Sequence, residues 1–159
     1  MTAYDEMGRT AYTMRNIFVP VNPDGTDGTS DYSNRQVQLY QYDGEGRTIK
    51  TTQEGYAGGS LDTSISVDKV YDIHGRVVAE SDPYDEEVLN VAWDANTQTF
   101  KDGTMIVPTK LSEYDDFGRL AAVVLSEVEH PDLAAGTMVR PRYEYGYDER
   151  GNLLTIRDN

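Results

Sequence analysis

One six-residue pattern recurs along the chain, and it constrains the backbone more than any other feature. It reads YDEMGR at residues 4–9, YDGEGR at 42–47, YDIHGR at 71–76 and YDDFGR at 114–119, with a looser copy, YDERGN, at 147–152. The outer letters persist while the two inner ones change. A catalytic motif is usually written once, so a pattern written five times points to a building unit. Asp followed three residues later by Gly is the signature of a type I turn. With that Gly in the left-handed region, the turn closes a three-residue hairpin loop with a bulge. Only Gly enters that region without a steric penalty, and the Asp side chain can accept hydrogen bonds from backbone N–H groups of the turn. Each copy therefore predicts a hairpin whose two variable residues sit at a wet tip.

Counting outward from the tip gives the pairing. Asp43 faces Arg47 across the hairpin mouth, an exposed ion pair worth roughly 0–1 kcal/mol. One step out, Tyr42 faces Thr48, and the equivalent pairs are Tyr4 with Thr10, Tyr71 with Val77, Tyr114 with Leu120 and Tyr147 with Leu153. Aromatic residues opposite β-branched or apolar ones contribute roughly 0.2–1 kcal/mol each. The repeat residues are thus Tyr4, Asp5, Gly8 and Arg9; Tyr42, Asp43, Gly46 and Arg47; Tyr71, Asp72, Gly75 and Arg76; Tyr114, Asp115, Gly118 and Arg119; and Tyr147, Asp148 and Gly151. The tyrosines are expected to pack between neighbouring hairpins, each hydroxyl hydrogen-bonded at the edge.

The flanks read as strands. VQLYQY (37–42) and RYEYGY (142–147) alternate with period two, and RVVAES and RLAAVVLSEV supply returning strands. An extra hairpin, TFKDGTMIV at 99–107, centres on Asp102-Gly103. Residues 20–34 and 129–138 read as long loops, and no segment sustains helical periodicity. The expectation is a single all-β domain over residues 1–159, built from stacked antiparallel hairpins.

Composition narrows the function. The formal net charge is −14, from 14 Lys and Arg against 28 Asp and Glu. Nucleic acid is disfavoured as a partner, because a phosphate backbone needs clustered cations. The longest apolar run, LAAVVL at 120–125, is far too short to span a bilayer. The first residues lack the basic and apolar stretches of a signal peptide. There are no cysteines, hence no disulfides and no thiolate metal sites.

The hexamer followed by an apolar residue or Thr resembles the YD repeat of the RHS family, which includes bacterial Rhs proteins, wall-associated proteins, toxin-complex shell proteins and teneurins. The stretch RYEYGYDERGNLLTIRDN resembles a well-formed family repeat over its whole length. The resemblance implies a curved, spiralling sheet, an open segment of a hollow shell that can enclose a toxin. It implies flanking repeats of a parent chain as partners, or self-association through sheet edges, and a location outside the cell or at its surface as part of a secreted bacterial protein. The family's self-cleavage sequence, D-P-x-G, is not matched: Asp82-Pro83-Tyr84-Asp85 has the wrong fourth residue, and Asn22-Pro23-Asp24-Gly25 the wrong first. The chain begins almost inside a repeat, as an excised segment would.

Other chemistry is thinly supported. In the loop at 22–31, Asp24, Asp27 and Asp31 are the candidate calcium ligands, but the glycines fall out of phase with a calcium-loop register. His74 sits at a turn tip and His130 precedes Pro131, without the neighbours a zinc site needs. The carboxylate pairs Glu86-Glu87, Asp115-Asp116 and Glu127 with Glu129 do not by themselves supply a glycosidase geometry. The expectation is a protein that is not an enzyme and has no cofactor. The alternative is an adhesion or carbohydrate-binding module, with exposed tyrosines or Trp93 as stacking platforms.

Overall fold

The computed structural model describes residues 1–16, 35–129 and 136–158. Among these there is no helix, and the fold is all-β and antiparallel. The loop expected over 20–34, with Asp24, Asp27 and Asp31, lies outside the described residues, as does His130.

The described residues pack as two compact units. The first contains residues Met1–Asp68 and Pro83–Asn90, the second Lys69–Asp82 and Val91–Asn159. In the first unit β1 (Thr2–Tyr4), β2 (Thr10–Asn16), β3 (Arg35–Tyr42), β4 (Thr48–Ala57) and the first part of β5 (Ser60–Tyr71) follow one another in sequence and in space. β4 and β5 are joined through Gly58 and Gly59, whose φ values of 58° and 85° suit a two-residue type I′ loop. Past β6 (Val77–Ser81), the chain forms β7 (Tyr84–Asp85), which adds to β5 by pairing Ile65 with Asp85 and Ser66 with Tyr84. Buried here are Val37 and Tyr84, together with the hydroxyl residues Thr52, Ser64 and Ser66.

In the second unit the last residues of β5 pair with β6, and the sheet continues through β11 (Thr109–Tyr114), β12 (Leu120–Val124), β15 (Arg142–Tyr147) and β16 (Leu153–Asp158). A smaller sheet joins β8 (Ala92–Asp94), β9 (Thr99–Asp102) and β10 (Met105–Val107). The hairpin expected over 99–107 is present, shifted by one residue. Asp102 pairs with Met105, so the loop residues are Gly103 and Thr104. Gly103, at φ 57°, occupies the first central position, where a type II′ loop wants Gly. β13 (Val128–Glu129) and β14 (Met138–Val139) pair at the mouth of the loop expected over 129–138. Trp93 is half-buried and tilts against Phe100 at a ring separation of 4.9 Å.

Candidate functional site: a tyrosine–arginine ladder

All five copies of the hexamer fold as the same turn. The amide of each turn glycine donates to the Asp carbonyl three residues back, at 2.9–3.1 Å. Gly8, Gly46, Gly75, Gly118 and Gly151 have φ between 77° and 85°, the left-handed region that glycine enters without a steric penalty. Register shifts one residue before each tyrosine mark the bulges, and Tyr4–Thr10, Tyr42–Thr48, Tyr71–Val77, Tyr114–Leu120 and Tyr147–Leu153 are paired.

The Asp carboxylate does most of the closing. In the fourth turn, Asp115 Oδ1 accepts from the amides of Phe117 (3.0 Å) and Arg119 (2.9 Å), and Oδ2 accepts from Arg119 Nε at 2.7 Å. The first three turns repeat this set on Asp5, Asp43 and Asp72. In the fifth, Asn152 Nδ2 takes the place of the guanidinium and donates to Asp148 Oδ2 at 2.7 Å. For Asp5, Asp43, Asp72 and Asp115, burial would raise the carboxyl pKa, but the amides and the guanidinium of the same turn outweigh it and hold the group below its ordinary value. The Asn152 side-chain and backbone donors do the same for Asp148. The two variable residues of every copy are exposed, Ile73 and Phe117 at 93% and 84%.

Neighbouring turns are linked by a second set of contacts. In the first unit the Arg9 guanidinium lies 4.5 Å from the centre of the Tyr42 ring, and its Nη1 donates to the Asp43 carbonyl. The Tyr42 hydroxyl donates back to the Thr10 carbonyl at 2.8 Å. In the second unit Arg76 lies 4.4 Å from the Tyr114 ring centre and Arg119 lies 4.6 Å from that of Tyr147. The hydroxyls of Tyr114 and Tyr147 donate to the carbonyls of Val77 (2.9 Å) and Leu120 (2.8 Å). Arg119 Nη1 also donates to the Asp148 carbonyl. A cation–π contact of this kind contributes about 0.5–1 kcal/mol and a hydrogen bond about 0.5–1.5 kcal/mol. Each linkage thus adds to the strand pairing beside it. The arginine carries two jobs at once: its Nε closes its own turn, and its outer face holds the next tyrosine.

A second polar constellation, absent from the sequence reading, lies in the first unit. Lys50 and Thr52 on β4, Ser66 and Asp68 on β5, and Tyr84 and Glu86 in the 83–90 segment converge. Lys50 Nζ is 2.7 Å from Glu86 Oε1 and 4.0 Å from Asp68 Oδ1. Thr52 Oγ1 and Ser66 Oγ are 2.6 Å apart and lie 2.9 and 2.6 Å from Glu86 Oε2. The Tyr84 hydroxyl donates to Asp68. Burial pushes the Lys50 pKa down, but the hydrogen bonds to Glu86 and Tyr84 and the charge of Asp68 raise it overall, so the ammonium stays charged. Burial likewise works against Glu86, but Lys50, Ser66 and Thr52 win and hold it low. Asp68 moves the other way: burial raises it, and Tyr84 and Lys50 recover only part. Burial and the bond to Asp68 push Tyr84 up to about 12. The arrangement fastens the 83–90 segment to β4 and β5.

Among the described residues no group of three His, Cys, Asp or Glu side chains is placed to hold a metal ion. His74 is exposed at its turn tip. No helix among the described residues is long and apolar enough to cross a membrane. In the second unit, a groove of about 410 Å³ is lined by Thr97, Thr99, Ser126, Glu127 and Arg140 beside Pro108. The Arg140 Nε is buried there without a hydrogen-bond partner among the described residues. Compared with known proteins, the chain matches no family model and no curated protein.

Proposed function

We propose that the chain is a non-catalytic structural repeat segment of a larger secreted or cell-surface protein of the RHS type, contributing to a β-shell that can encapsulate a toxin or other cargo. The observation that carries this reading is the ladder. The residues that recur do so to close turns and to grip the neighbouring turn, and they spend their polar groups on one another. The acidic surface suits such a wall, because like charge discourages nonspecific association. Flanking repeats of the parent chain are the partners that this reading names, with self-association through sheet edges as the substitute in isolation.

Electron cryo-microscopy of the full-length natural polypeptide tests it. The expected result is a continuous strand wall in which this segment is one part. A segment standing alone as an independent bead would overturn the reading. A carbohydrate-binding module remains the second reading, and the hydroxyl-lined groove with Glu127 and Arg140 favours it. A glycan array separates the two, since the structural reading expects no specific glycan binding.

A further inference from the structure

The ladder has a direction. At each linkage the earlier turn supplies an arginine and the carbonyl of the residue after it, while the later turn supplies a tyrosine ring and its hydroxyl, joined in the Arg9 and Arg119 linkages by an Asp carbonyl. The two outermost turns therefore have unlike requirements.

At the first turn, Tyr4 is 66% exposed, and among the described residues neither its ring nor its hydroxyl has a partner. The Asp5 carbonyl accepts from the Gly8 amide, as the Asp43 carbonyl does from Gly46, but among the described residues it has no counterpart of the Arg9 donor that Asp43 receives. Among the described residues β1 pairs with β2 alone. At the fifth turn, Leu153 stands where Thr10, Val77 and Leu120 stand in the turns that accept a tyrosine hydroxyl. The apolar side chains of β16 (Leu153, Leu154 and Ile156) are 49–66% exposed. The residue before Leu153 is Asn152, however, whose amide is spent on Asp148 and which has no atoms beyond it to lie over a ring.

We infer that the β1 edge is a docking surface for the returning strand of an arginine-bearing Tyr-Asp-x-x-Gly-Arg hairpin. The incoming arginine covers the Tyr4 ring and donates to the Asp5 carbonyl, and the carbonyl after it accepts the Tyr4 hydroxyl. The fifth turn of a second copy presents the carbonyl but not the cation, so a second copy is a poor occupant. This inference rests on the structural reading above and adds to it the chemistry of the partner.

The substitution N152R in the whole chain supplies the missing cation. It creates a head-to-tail, heterologous contact, which propagates into open chains instead of closing as a two-fold dimer. Sedimentation velocity is expected to show concentration-dependent oligomers at least tenfold tighter than for the unsubstituted chain, and Y4A added to N152R is expected to return association to the starting level. No tightening by folded N152R, or tightening that Y4A leaves intact, overturns the inference. If N152R fails to fold, replacing residues 148–152 with the sequence of residues 115–119 poses the same question with a turn the chain already makes. R119A separates the two levels. If it lowers the thermal midpoint while N152R stays unassociated, the edge inference alone falls; if R119A is also neutral, the ladder reading falls with it.

Discussion

The turn aspartates and the Lys50–Glu86 cluster use the same groups over opposite ranges, the first with partners inside one loop and the second with partners from three segments. In a turn, one carboxylate, 17–25% exposed, collects its donors from within five residues of the same loop. In the cluster, Glu86 and Asp68 share an ammonium, a phenol and two hydroxyls from distant parts of the chain, with the Lys50 and Asp68 side chains 14% exposed and Glu86 32%. Removing a partner from a turn breaks contacts confined to that loop. Removing one from the cluster strands a charge. Recurrence thus marks contacts that each loop makes for itself, whereas the single-copy cluster depends on three segments meeting.

The largest effect should come from K50M, which leaves Glu86 and Asp68 without their counter-charge. It is expected to cost about 2–3 kcal/mol in urea unfolding, and adding E86L should recover part of the loss. Full stability in K50M would break the comparison. G118A should cost about 1–2 kcal/mol, because the residue sits at φ +79° with Arg76 Nη1 3.4 Å from the added methyl. The smallest effect belongs to D115N, and its signature is in pH. Asp115 is held below its ordinary pKa. Its contribution is therefore present above the unfolded value of about 3.9 and is lost as pH falls through the lower folded value. Thermal midpoints of the unsubstituted chain should drop below about pH 4, and D115N should drop less steeply there. Asp68, raised by burial, has the opposite sign and favours the fold when protonated.

What could be read from the letters follows the same division. The turn pairs were legible because every contact spans six residues or fewer and backbone geometry strongly favours Asp and Gly at their positions. The Asp102-Gly103 hairpin was legible as a hairpin but misplaced by one residue, since Gly satisfies either central position depending on loop type. The Gly58-Gly59 hairpin carried the same kind of signal and went unread between two polar strands. The cluster was illegible for a physical reason. Its members meet across separations of 14 to 36 residues. On each strand, Lys50 with Thr52, Ser66 with Asp68 and Tyr84 with Glu86 alternate as a solvent-facing row would. Only the return of the 83–90 segment buries them. That the arginine of one turn grips the tyrosine of the next was hidden too, because pairing along a hairpin says nothing of the reach between hairpins.

The self-contained turn also governs the order of assembly. A loop closed by a carboxylate and a left-handed glycine can form on the hairpin timescale, about 1–10 μs, before distant segments meet. Glu86 finds Lys50 only after the intervening chain has been laid down, so that contact arrives late. Lesions in the turns will then slow refolding, whereas lesions at the late contact will chiefly hasten the escape from the native state.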